Sequence, residues 1–238
     1  MAEPGVVFEA EIPIPLKRVK AWFFDLDGTL MDTDDQAVNS LANKLRFLGA
    51  LSANRLARWL IMKSETPMNF ALTLVDILGM DTVLFKLRAW LHRHQPKPTF
   101  RIIEGVKPML EYLHEHAELV VVSTRSQVDA MAFLEQHGLA DLFSLVVSQE
   151  STPRLKPHPD PVIYAAQALG LSPDACVMVG DTTVDVLSAR RAGAWAVGVL
   201  CGFGEEAELQ RAGAHLVLSS SADLRSYASI RSGAKPPD

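Results

Sequence analysis

Two carboxylates one residue apart, Asp25 and Asp27, end a short apolar run, Ala21-Trp-Phe-Phe-Asp25-Leu-Asp27-Gly28-Thr29-Leu30. In an extended chain residues i and i+2 lie on one side, so the pair starts on a common face. Gly28 then breaks the strand and permits a sharp turn with positive φ. Two acids held this close repel each other, and a divalent cation is the simplest reason for them to stay together. Taken alone, Asp-Leu-Asp-Gly-Thr reads equally well as a strand followed by a polar turn.

Three later stretches decide between those readings. Leu119-Val-Val-Val ends in Ser123-Thr124-Arg125-Ser126, where a hydroxyl and the exposed N–H groups opening a helix suit phosphate oxygens. On its own this stretch reads as a helix cap. Lys156 stands in a loop stiffened by Pro157 and Pro159, a fixed positive charge suited to offset carboxylates or hold a phosphoryl group. The bland alternative is a solvated loop lysine, and His158 between the prolines reads as packing. The apolar run Val177-Met-Val ends in Gly180-Asp181, with Asp185 four residues on. Asp181 then sits at a strand end facing the metal. Asp185 lies on the same side in the next helix's first turn, where the helix dipole alone also favours an acid.

The elements that must position these residues follow from periodicity. From Gly105 onward helix and strand alternate: helices over 106–116, 127–137, 160–169, 183–192 and 205–211 with a last one at the end, and strands over 118–123, 145–148, 175–179, 195–200 and 215–218. Together with an apolar first strand at 19–24 this predicts an α/β fold, a doubly wound, Rossmann-like parallel sheet. Over residues 33–100 the pattern changes to four helices without a strand; Val38, Leu41, Leu45 and Leu48, for instance, make one apolar face. The expected organisation is therefore a catalytic core over 18–32 and 101–232, with an inserted all-helical cap over 33–100 seated over the strand ends. Residues 1–17, with Pro4, Pro13 and Pro15, read as an extended or loose lead-in. The polar tail from Ser232 reads as frayed.

Composition excludes several classes. The 238 residues carry a net charge of −5, which argues against a nucleic-acid binder, and 48% hydrophobic residues suffice for a buried core. No run is long and apolar enough for a membrane span, and Met1–Lys20 does not read as a secretory signal. Two cysteines, Cys176 in an apolar strand and Cys201, fit a reducing compartment, so the expectation is a cytoplasmic protein.

Taken in order, Asp25-Leu-Asp27-Gly28-Thr29, Ser123, Lys156-Pro157 and Gly180-Asp181-x-x-x-Asp185 resemble the four motifs of the haloacid dehalogenase-like hydrolases. The resemblance covers roughly Trp22 to Leu218, and the four-helix block is similar to that family's helical cap. Size, cap position and the stretch Gly198–Gly213 resemble phosphoglycolate phosphatases and their near relatives. This implies a Mg²⁺-dependent phosphatase acting on a small phosphorylated metabolite, with no nucleic-acid or membrane partner, as a monomer or homodimer. Asp25 would be the nucleophile and Asp27 the general acid and base. Asp25, the backbone carbonyl of Asp27, and Asp181 would hold the metal, with Asp185 supporting it. Ser123, Thr124 and Lys156 would bind the phosphoryl oxygens, and Thr29 would orient Asp27. Arg125 has no role assigned by the resemblance. Lys63 falls where the cap should reach the site, either meeting an anionic substrate group or standing exposed at a helix end. Asp27 disfavours the related phosphonate hydrolases and dehalogenases, which lack a second acid there. A hexose-phosphate mutase of this fold and a non-catalytic binding module are the rival readings.

Overall fold

The structure, a computed structural model, describes residues 14–32 and 100–232. Contacts divide the chain into Met1–Met31 with Ile102–Asp238, and Asp32–Arg101. Of the four helices expected over 33–100, residues 33–99, Lys63 among them, lie outside the described residues.

Six strands form one parallel sheet: β1 (Ala21–Phe24), β4 (Glu118–Val122), β5 (Leu145–Val147), β6 (Cys176–Gly180), β7 (Trp195–Val199) and β8 (Leu216–Leu218), in the order β5-β4-β1-β6-β7-β8. Met31–Asp32 (β2) and Arg101–Ile102 (β3) make a separate two-stranded ribbon. Helices link the strands: α1 (Val106–His114), α2 (Gln127–His137), α3 (Asp160–Ala168), α4 (Thr183–Ala192), α5 (Glu206–Ala212) and α6 (Leu224–Ser232). The expected doubly wound sheet is present. In such sheets ligands bind outside the carboxyl ends of the strands, where the winding reverses. Here β1 is that central strand, with β4 on one side and β6 on the other.

Both sheet faces are covered, which is why the strands read as continuous apolar runs rather than alternating ones. Ala21, Phe23, Val120, Val122 and Met178 join one buried cluster with Val162, Ala165 and Ala166 of α3 and Val186 and Ala189 of α4. Their neighbours Trp22, Phe24, Leu119, Val121, Val177 and Val179 alternate with them along the strands and are buried as well. Phe24 meets Phe143 edge-on at 6.5 Å. Truncating a fully buried phenylalanine such as Phe23 costs about 3–5 kcal/mol in settings of this kind.

Helix ends follow the local chemistry. The Ser126 hydroxyl accepts the Asp129 N–H at 3.2 Å to open α2, and Gly138 and Gly193 close α2 and α4. One expectation is corrected at the amino end. The lead-in is not loose throughout: Leu16–Arg18 form a 3₁₀ turn and Ile14 is fully buried. The prolines forbid an α-helix but leave room for this tighter turn.

Candidate active site

Three of the chemical residues sit one step past a strand. Asp25 follows β1, and its N–H donates to the Val179 carbonyl at 3.0 Å. Ser123 follows β4, with its N–H on the Val147 carbonyl at 2.9 Å. Asp181 follows β6. The last ladder bonds thus fix the backbone from which each side chain leaves the sheet. Gly28, at φ 67°, turns the chain back after Asp27, and Asp27 makes an isolated bridge to Met31.

Asp25, Asp181 and Asp185 form one cluster in which each offers a carboxylate oxygen within 4.8 Å of the others. All three are buried. Lys156 enters from the side, and its Nζ donates to Asp25 Oδ1 at 2.9 Å, Asp185 Oδ1 at 2.6 Å and the Val122 carbonyl at 2.9 Å. The Lys156–Pro157 bond is cis. Asp185 divides its oxygens: Oδ1 takes the lysine, while Oδ2 accepts the Thr182 N–H at 3.1 Å and its hydroxyl at 2.6 Å. It therefore caps α4 and faces the cluster at once, so both readings of this residue hold together.

Three carboxylates against one ammonium leave an excess of buried negative charge. Burial pushes Asp25 up to about 7, against the pull of Lys156 and helped by the charges of Asp185 and Asp27. Asp181 is likewise held well above the usual carboxylate range by burial and then by Asp185 and Asp25. Burial works against the charge of Lys156, but the two carboxylates outweigh it and its pKa is raised.

A cation fits this arrangement. Asp181 Oδ2 accepts the Phe203 N–H at 2.7 Å, whereas Asp181 Oδ1 is buried without a hydrogen-bond partner among the described residues. A buried carboxylate oxygen left unpaired is costly unless something positive meets it. Glycines frame the group closely. A Cβ at Gly28 or Gly202 would overlap Asp181 Oδ2, one at Gly204 would overlap the Asp181 carbonyl, and one at Gly180 would overlap Asp185. An all-oxygen donor set of this kind suits a hard ion such as Mg²⁺.

Asp27 faces elsewhere. Arg125 Nε donates to Asp27 Oδ2 and Nη2 to Asp27 Oδ1, each at 2.6 Å. The expectation that Thr29 orients Asp27 is corrected here: Thr29 is fully buried, and its hydroxyl has no hydrogen-bond partner among the described residues. The side chain that does hold Asp27 is the arginine to which sequence reasoning gave no role. Its signal was a guanidinium two residues past the strand-end hydroxyl, in a loop beside two acids. Ser123 Oγ accepts the Arg125 N–H at 3.2 Å, and Thr124 beside it is half-buried. His158, read as packing, has Nδ1 2.9 Å from Asp160, and its carbonyl accepts the Ser188 hydroxyl at 2.6 Å.

A family profile described as haloacid dehalogenase-like hydrolase matches residues 22–199. A phosphoglycolate phosphatase of Chromobacterium violaceum is 32% identical over 217 residues, spanning 88% of this chain and 96% of its own. A pyrophosphatase of Halalkalibacterium halodurans is 28% identical over 177 residues, 74% of this chain and 81% of that one. Among solved structures, a hydrolase of Deinococcus radiodurans with bound phosphate and sodium superposes with a TM-score of 0.67 at 24% identity, over 92% of this chain and 99% of that one. The last of these speaks for the fold alone. The profile match runs from β1 through β7 and so takes in every strand end described above; the chain belongs to the haloacid dehalogenase-like hydrolases.

Proposed function

We propose that this protein is a Mg²⁺-dependent phosphatase that hydrolyses a small phosphomonoester, phosphoglycolate or a compound like it, through a phosphoryl-aspartate on Asp25. The observation that carries this reading is the buried trio Asp25, Asp181 and Asp185 with an unpaired Asp181 oxygen. A second acid, Asp27, stands two residues from Asp25 and outside the trio. The chain's nearly full-length match to a phosphoglycolate phosphatase supports the substrate class.

Asp25, Asp181 and the backbone carbonyl of Asp27 would hold the ion, with Asp185 behind them. Bound there, it supplies neutralisation of the buried carboxylates and of the phosphoryl charge. The remaining steps belong to the chain. A carboxylate oxygen of Asp25 attacks phosphorus, the bond from phosphorus to the ester oxygen breaks, and Asp27 gives that oxygen its proton. Water then attacks the phosphorus of the acyl phosphate, Asp27 takes the water's proton, and the bond from phosphorus to Asp25 breaks. Ser123, Thr124 and Lys156 bind the phosphoryl oxygens. All three ammonium donors of Lys156 are already engaged, so it trades one bond for another when phosphate arrives. Positioning and charge neutralisation dominate such transfers. Substrate choice is assigned to residues 33–100 as the helical cap, including Lys63. A reducing, cytoplasmic setting is supported by two free cysteines, and among the described residues no helix is long and apolar enough to cross a membrane.

The test is hydrolysis of p-nitrophenyl phosphate with and without Mg²⁺, followed by a panel containing phosphoglycolate, pyrophosphate and sugar phosphates. Turnover should require the ion. Activity that persists in excess chelator would remove the metal from the mechanism, and no hydrolysis of any ester would remove the phosphatase.

A further inference from the structure

We propose that Arg125 is a positioning residue for Asp27: its guanidinium fork, not Thr29, aims the acid–base carboxylate at the leaving group. This rests on the reading of Asp27 as general acid in a phosphatase. The contact crosses from the loop after β4 to the loop after β1, between residues 98 apart in sequence. Both Asp27 oxygens are taken, one by Nε and one by Nη2, each at 2.6 Å. A planar guanidinium bonded through two parallel donors fixes the tilt and the twist of a carboxylate together, which a single donor cannot do.

The backbone that carries the fork is itself held. The Arg125 N–H donates to Ser123 Oγ at 3.2 Å, and its carbonyl accepts the Gln149 N–H at 3.0 Å. The next residue, Ser126, caps α2. Arg125 is therefore mounted between the strand-end hydroxyl and the helix start. Its side chain and that of Asp27 are 27% and 29% exposed, so the pair lies at the open end of the site rather than in the buried cluster. A carboxylate has about four lone-pair positions, of which the fork uses two. Two remain for the leaving oxygen and later for water. The arrangement keeps the acid–base group apart from the metal-binding acids, although Asp25 and Asp27 are separated by a single residue.

Leaving groups separate a positioning role from a structural one. p-Nitrophenolate leaves with little help from a proton, whereas an alkoxide needs one. kcat/KM reads every step up to transfer onto Asp25, so it should be measured for p-nitrophenyl phosphate and for glycerol 2-phosphate. In Arg125→Gln the value for the alkyl ester should fall about 10–100-fold, within the worth of general acid catalysis, and for the aryl ester about 3-fold. Arg125→Lys keeps the charge without the fork and should show the same selective loss. In an Asp27→Asn background, Arg125→Gln should add no further selectivity, because the group it aims is gone. Equal losses on both esters, or none on either, in a folded Arg125→Lys protein would overturn the proposal while leaving the phosphatase reading intact. Hydrolysis of neither ester by the unaltered protein would overturn both.

Discussion

Two cations serve the same strand end by opposite means. Lys156 is buried, at 2% side-chain exposure, and directs its three donors to Asp25, Asp185 and a backbone carbonyl. Arg125, at 27%, meets one carboxylate through a planar fork. The lysine is a compact charge placed where water cannot screen it, so its effect is chiefly electrostatic. Water screens the arginine pair, whose value lies in geometry. The contrast predicts a buried half that tolerates no lost charge and a half-exposed half that tolerates lost charge but not lost direction.

The buried half should break hardest. Asp25→Asn removes the attacking carboxylate and should lower turnover by at least on the order of 10⁴-fold. No phosphoprotein should then be trapped on acid quench; its appearance would place the nucleophile elsewhere. Lys156→Met leaves two carboxylates without their common partner. Breaking a buried pair in this way should cost about 3–5 kcal/mol in urea unfolding. Added Mg²⁺ should recover part of that loss, since a ligand bound only by the folded state stabilises it. A cost below about 1 kcal/mol, the range of exposed pairs, would show that the lysine is not the charge balance proposed here.

The same division governs what could be read from the chain. Helices 127–137 and 183–192 were legible to the residue because Ser126, Gly138, Thr182 and Gly193 mark their ends chemically. The parallel sheet was legible from its apolar runs, although β4, β5 and β7 each stop one residue earlier than expected. Of the buried half, Asp25, Lys156, Asp181 and Asp185 were all legible, since each is a charge at a strand end, in a helix's first turn or in a proline-stiffened loop. Arg125 with Asp27 was not, because a pair 98 residues apart leaves no periodic trace. The Phe203 N–H on Asp181 and the Val122 carbonyl on Lys156 were not legible either, since every residue offers the same backbone groups.

Gly202 sharpens the comparison at a smaller scale. It lies beside Asp181 Oδ2, which the Phe203 N–H holds at 2.7 Å while Oδ1 has no partner among the described residues. A methyl group there would displace the carboxylate. Gly202→Ala should weaken Mg²⁺ binding about 10–100-fold by titration calorimetry, the usual effect of disturbing a group that orients a ligand. The Arg125–Asp27 contact should be untouched, so the preference between aryl and alkyl esters at saturating Mg²⁺ should match the unaltered protein. Unchanged affinity would mean that Asp181 is not held for a cation.

The smallest effect is expected at Thr29, which the family resemblance would have orient Asp27. Its carbonyl accepts the Ser221 hydroxyl at 2.6 Å, so the backbone is anchored whatever the side chain. Its own hydroxyl is fully buried and has no partner among the described residues. Valine keeps the branched shape and removes only that hydroxyl. An unpaired buried polar group costs about 1–3 kcal/mol, so Thr29→Val should hold or raise stability, by about 1 kcal/mol in thermal or urea unfolding. kcat/KM for glycerol 2-phosphate should stay within about twofold, an energy below about 0.5 kcal/mol. Were Thr29 the group that orients Asp27, valine would instead reproduce the selective loss expected of Arg125→Gln. The two substitutions run side by side on the alkyl ester therefore assign the orienting contact to one residue or the other, and on the geometry of the fork it falls to the arginine.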